Sequence, residues 1–193
     1  DDIKEIKNKL DEISPSMCMA KWFQVSLHLL NGKTHSCYHP PAKTIPLKEL
    51  EQNNSALHNT LHKQVQRQKM LNGERPKECE YCWKIEDAGH LSDRHYRSAE
   101  WWAQDGWKEI ENIDTVSPRY VEVNFNQACN LRCVYCSPHI STTWKKEINE
   151  YGPYRLFSAD HNNFKYLDMP LDVSNDSNPY DYFIFKRTIW GKR

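Results

Sequence analysis

The sequence predicts an α/β chain in two parts: a small cysteine-rich α+β module, then the start of a β/α unit made of a strand, a cysteine-bearing loop and a helix. Three observations carry this prediction. The seven cysteines fall into two groups, with Cys18, Cys37, Cys79 and Cys82 spread over the first half and Cys129, Cys133 and Cys136 crowded into one run. Apolar residues recur at helical spacing near the amino terminus and alternate with polar ones just before the crowded run. Turn formers such as Asn31-Gly32 and Gly152-Pro153 punctuate these stretches.

The first stretch places Ile3, Ile6, Leu10 and Ile13 on one helical face with charges between them, so residues 1–16 are expected to form an amphipathic helix ending near Ser14-Pro15. After Met17-Cys18-Met19-Ala20-Lys21-Trp22, residues 23–30 are expected as a strand, and Asn31-Gly32 as a hairpin turn. Four residues after Gly32 comes Cys37, so the hairpin brings Cys18 and Cys37 toward one another at its open end. Between Pro46 and Gly73 the composition is helical: a short turn at Pro46–Leu50, then a longer helix using Leu57, Leu61, Val65 and Leu71, with Gly73 as its stop. Cys79-Glu80-Tyr81-Cys82 is a C-x2-C knuckle whose spacing lets both sulfurs reach one metal ion or cluster.

Residues 83–115 read as a linker or packing segment. Its Trp101, Trp102 and Trp107 are expected to shield the metal site and supply core, with substrate stacking as the alternative. His90 and His95 are read as surface histidines, since the cysteine count already closes both sites, with cluster ligation as the alternative. Tyr120–Phe125 alternates as a strand does. Cys129, Cys133 and Cys136 then follow in a C-x3-C-x2-C run, close enough to turn three sulfurs toward one point. A cubane iron-sulfur cluster is ordinarily held by four thiolates, so three leave one iron open. Zinc or unliganded thiols are the competing readings, although structural zinc sites favour paired C-x2-C knuckles. Ser141 is expected to cap a helix over 142–150, stopped by Gly152-Pro153. His139 is either a group near the open iron or a surface loop histidine. Residues 158–179 read as a loop, and 182–190 as an apolar stretch of undecided type.

Composition sets outer limits on function. The 26 basic and 26 acidic residues give a formal net charge of zero, so no global field points to nucleic acid or an acidic membrane surface. No apolar run approaches the roughly 18 residues of a membrane span, and the amino terminus lacks the pattern of a secretory signal. An odd number of cysteines argues against a closed disulfide framework and for a reducing, cytoplasmic setting in which clustered thiols bind metal. Asp1 in place of Met leaves a start upstream open.

The run Cys129-x3-Cys133-x-Tyr135-Cys136 resembles the signature of the radical S-adenosylmethionine (radical SAM) enzymes, C-x3-C-x-aromatic-C, with Tyr135 in the aromatic place. The resemblance implies a 4Fe-4S cluster held by Cys129, Cys133 and Cys136. It further implies that the open iron chelates S-adenosylmethionine and that reductive cleavage yields a 5′-deoxyadenosyl radical. The earlier cysteines, with Gly32, Gly73-Glu74-Arg75-Pro76 and the C-x2-C knuckle, resemble the auxiliary modules of that family called SPASM and twitch domains. That likeness implies a second 4Fe-4S cluster on Cys18, Cys37, Cys79 and Cys82, in the shorter twitch form. Taken alone, those four thiols read as a zinc-ribbon set, since spacing does not separate zinc from iron-sulfur; beside the three-cysteine run a 4Fe-4S cluster is the favoured occupant, with zinc as the alternative.

The expected organisation is an amphipathic helix at 1–16, a twitch-like module at 17–90, an aromatic-rich segment at 91–117, and the truncated start of a radical SAM partial β/α barrel at 118–193. Only 57 residues follow Cys136, whereas a complete eight-stranded barrel takes about 200, and the family's Gly-Gly-Glu-Pro run is absent. Expected partners are S-adenosylmethionine, a peptide or protein substrate, and an electron donor such as a flavodoxin or ferredoxin, with no nucleic acid and no membrane. The competing function is a metalloprotein that keeps a zinc or iron-sulfur site without turnover.

Overall fold

In the computed structural model, the described residues are 2–53, 55–104, 106–125, 128–133, 136, 141–152 and 180. The expectations for Tyr135, His139 and residues 158–179 and 182–190 lie outside them. The described residues form a mixed α+β structure of eight α-helices and a four-stranded sheet. The chain divides into two compact units, Asp1–Leu27 with Thr34–Glu122, and His28–Lys33 with Val123–Arg193. No helix among the described residues is long and apolar enough to cross a membrane.

The first unit opens with α1 (Ile3–Ile13), capped by the Asp2 carboxylate, which accepts a hydrogen bond from the Lys4 N–H. Its apolar stripe behaves as expected: Ile6 and Leu10 are fully buried. The helix ends at Ser14, whose hydroxyl, like that of Ser16, donates to the Met70 carbonyl and so ties this end to a later helix. The expected strand over 23–30 is shorter. Met19–Phe23 forms a helical turn, α2, buried on all sides, and β1 covers only Gln24–His28. A β-type composition yields here because one turn of helix lets Met19, Trp22 and Phe23 enter the same core.

The hairpin turn forms as expected, with Gly32 at φ +65 followed by β2 (Lys33–His35). A Cβ at Gly32 would also collide with the ring of Tyr180, so both backbone and space require glycine. With β3 (Lys43–Thr44) and β4 (Tyr120–Asn124) the sheet order is β3-β2-β1-β4. The Arg119 N–H donates to the Phe23 carbonyl and the Leu29 N–H to that of Asn124; this advancing register makes β1 and β4 parallel, although β1 and β2 form a hairpin. Thus β4, expected as the first barrel strand, pairs with β1 in this four-stranded sheet.

Two helices follow, α3 (Leu47–Gln52) and α4 (Leu61–Leu71). The apolar face assigned to α4 is corrected. Leu57 lies before the helix, and Leu61 and Val65 point to solvent at 61% and 45% exposure. The buried face is polar: Lys63, Gln66 and Arg67, with Met70. Arg67 is fully buried and donates to the Lys21 and Ile113 carbonyls and to the Asn59 side-chain oxygen at 3.1, 2.8 and 2.7 Å. Asn59 in turn pairs with both backbone groups of Val116. This network holds the chain on its approach to β4.

Gly73 stops α4 as expected. It has φ +79, its N–H donates to the Met70 carbonyl, and the Glu74 N–H donates to that of Lys69, which together make a Schellman motif. Residues 83–115, read as linker or packing, are largely helical: the later part of α5 (Glu80–Asp87), then α6 (Asp93–Ala99) and α7 (Trp101–Gln104). Trp102 is buried and Trp107 packs on the core, whereas Trp101 is exposed. His95 is corrected from a surface to a fully buried residue, its Nδ1 accepting from the Ser92 N–H in a capping box.

Candidate metal centres

Three separate segments deliver the four thiols of the first centre, the C-x2-C knuckle supplying two. Cys18 is the residue before α2, on a segment pinned by Arg94, which donates to the Met17 carbonyl at 2.7 Å. Cys37 sits two residues past β2, and its carbonyl accepts from His35 Nδ1 at 2.6 Å. Cys79 closes the 3-10 turn Lys77–Cys79, and Cys82 lies in the first turn of α5. The expected motif before them has definable roles: the Arg75 guanidinium lies over the Trp83 ring and the Pro76 carbonyl accepts from the Trp83 indole, so the knuckle is packed in place.

All four cysteines line one cavity. Cys18, Cys79 and Cys82 are buried and Cys37 is half-buried. Burial pushes each thiol pKa up, that of Cys37 to about 12, and the neighbouring thiols add to the rise at Cys18. Each sulfur therefore carries a proton that a metal must displace. Two buried cations face the same space and had no signal in the sequence. Lys21, 2% exposed, pairs with Glu78 at 2.5 Å. Arg94 makes a two-pronged pair with Glu86 at 2.9 and 2.8 Å. Both cations are already paired with carboxylates, so they add no net charge to the site; four thiols are a donor set that zinc and iron-sulfur clusters both accept. Among the described residues no three His, Cys, Asp or Glu side chains are drawn together as ligands of a single ion.

The second group lies between β4 and α8 (Thr142–Tyr151), the strand, loop and helix order that was expected. Ser141 caps α8, accepting from the Trp144 N–H, and Gly152 ends it at φ +85. The loop is tied to the start of this helix. Thr143 donates to the Cys129 carbonyl at 2.5 Å, Ser141 to that of Leu131 at 3.3 Å, and the Trp144 indole to that of Cys133 at 3.0 Å. The Cys136 N–H donates to the Cys133 carbonyl at 2.9 Å. All three cysteines are half-buried.

The two groups should differ in reactivity. In metal-free protein at neutral pH, iodoacetamide is expected to modify Cys129, Cys133 and Cys136 well before Cys18, Cys79 and Cys82, because burial protects the latter and keeps them as thiols. Time-resolved peptide mass mapping checks this, and equal rates at all six would contradict the packing described above.

Comparison with protein-family models, with characterised proteins and with solved structures returns no match for this chain.

Proposed function

We propose that this chain is part of a radical SAM iron-sulfur protein. Cys129, Cys133 and Cys136 would hold a 4Fe-4S cluster that binds S-adenosylmethionine, and Cys18, Cys37, Cys79 and Cys82 an auxiliary centre. The observation that carries this reading is the pairing of a three-cysteine loop, set between a strand and a capped helix, with four thiols lining one buried cavity. When bound, the first cluster supplies one-electron reductive cleavage of a sulfonium.

The chain's own residues supply placement and charge. Ser141, Thr143 and Trp144 take up the carbonyls of Leu131, Cys129 and Cys133, which ties the backbone of the three-cysteine loop to the start of α8. Lys21 and Arg94, each paired with a carboxylate, line the four-thiol cavity together with Trp83. A peptide or protein substrate, and an acidic electron carrier such as a flavodoxin or ferredoxin, remain the partners that this reading calls for.

One observation favours a second reading at the four-thiol site. The cavity lined by the thiols measures about 20 Å³, close to the space of one water-sized sphere, so a cubane would need more side-chain movement than a zinc ion. Metal analysis of anaerobically reconstituted protein, with electron paramagnetic resonance of the dithionite-reduced form, separates the readings. The proposal expects iron and sulfide for two clusters and a signal that changes when S-adenosylmethionine is added. Stoichiometric zinc with one cluster would assign zinc to the four-thiol site, and a cluster signal indifferent to S-adenosylmethionine would sink the radical SAM assignment.

A further inference from the structure

Beside the four-thiol centre, on the first unit, an open cleft of about 530 Å³ is built from elements the metal chemistry does not use. Its volume falls in the roughly 300–1,000 Å³ range of small-molecule sites. Three lysines face it from three different elements: Lys43 from β3, Lys69 from the last turn of α4, and Lys77 from the 3-10 turn before Cys79. All three are exposed, and none is ion-paired with a described residue.

The carboxylates of the cleft are already balanced, Glu78 by Lys21 and Glu80 by Lys84. Three positive charges therefore stand uncompensated in one concavity of a chain whose formal net charge is zero. Lysines strung along one helix would be an ordinary solvated face. Here separate segments converge on one opening, which concentrates potential where an anion would sit.

An aromatic platform forms one wall. Tyr81 is 52% exposed, and its ring stacks on that of His39 with centroids 3.8 Å apart and planes 12° from parallel. His39 is held from behind by Asp93, Nε2 to Oδ2 at 3.0 Å. A flat ligand ring would meet a Tyr81 already fixed in orientation, at little ordering cost.

We propose that this cleft binds a nucleoside polyphosphate, its phosphates on Lys43, Lys69 and Lys77 and its base stacked on Tyr81. Lysine ammoniums serve as point charges for phosphate oxygens, and base-on-tyrosine stacking tolerates any base, because every base has a π-face. The assignment is independent of which metal the neighbouring thiols hold.

The test is calorimetric titration of the full chain with ATP, inorganic triphosphate, adenosine and a hexaglutamate peptide. ATP is expected to bind at least tenfold more tightly than triphosphate or adenosine. The combined Lys43→Glu, Lys69→Glu and Lys77→Glu substitutions, all at exposed positions, are expected to abolish binding of both ATP and triphosphate. Tyr81→Ala is expected to weaken ATP by about tenfold and to leave triphosphate unchanged. Absence of ATP binding, ATP binding that survives the charge reversal in protein of unaltered circular dichroism, or hexaglutamate binding more tightly than ATP would each overturn the proposal.

Discussion

Replacing Arg67 by methionine is expected to lower the free energy of unfolding by about 3–5 kcal/mol, one of the largest effects any single substitution in this chain should produce. Methionine preserves much of the side-chain volume but supplies no donor. The Lys21 carbonyl, in a buried setting, and the Ile113 carbonyl, in a half-buried one, would lose the bond from Arg67, and the Asn59 side-chain oxygen would keep only its bond from the Val116 N–H. Each buried acceptor left unmatched costs about 1–3 kcal/mol, and Asn59 is itself the clasp on Val116. Urea titration followed by tryptophan fluorescence reads the effect as a drop in midpoint. Leu61→Gln on the same helix is the control: at 61% exposure it should change stability by no more than about 0.5 kcal/mol. A larger loss at Leu61 than at Arg67 would mean that the helix buries the face its sequence advertises.

Substituting Glu78 by glutamine should be comparably costly, and its cost should depend on pH. Burial alone would raise the Glu78 carboxyl pKa, but the hydrogen bond from His62 at 2.6 Å and the charge of Lys21 outweigh it and hold the group near pKa about 2. The folded value therefore lies below the unfolded one of about 4.5. A depressed carboxylate stabilises the fold fully above the unfolded pKa and loses that contribution as pH falls through the window from about 4.5 to 2. The amount at neutral pH is on the order of 3 kcal/mol. Glutamine removes this acid-sensitive contribution and also strands the Lys21 ammonium, which is 2% exposed, so the neutral-pH loss should reach about 3–5 kcal/mol. Stability curves of both proteins between pH 7 and pH 2 should converge toward the acid end. Parallel curves would remove Glu78 as the counter-ion of Lys21. In metal-loaded protein the loss should be smaller, because thiolates beside Lys21 then supply negative charge.

These two residues also mark where sequence reading stops. The α1 stripe, the Asn31-Gly32 turn, the Gly73 stop and the Ser141-capped helix were all legible, because each depends on side chains within a few positions of one another. The α4 face was misread because apolar periodicity presumes that burial follows hydrophobicity. Arg67 reverses that rule by finding carbonyl acceptors at Lys21 and Ile113, 46 positions away in either direction. The strand over 23–30 was overextended for a similar reason: Phe23 suits a strand locally, but the core rewards its place in α2. His95 was assigned to the surface because nothing near it in sequence announces that its face of α6 packs inward.

At the metal centres the division is the same. Cysteine types, counts and spacings were set out by the chain itself, as were the C-x2-C knuckle and the strand, loop and helix around Cys129, Cys133 and Cys136. Only tertiary structure could decide that Cys18, Cys37, Cys79 and Cys82 line a single cavity, and that Lys21 and Arg94 face it. The same holds for Lys43, Lys69 and Lys77, which open onto one cleft from three elements. Local pattern reports what a few neighbouring residues prefer, whereas charge balance in a buried site depends on groups that meet only after the chain has folded.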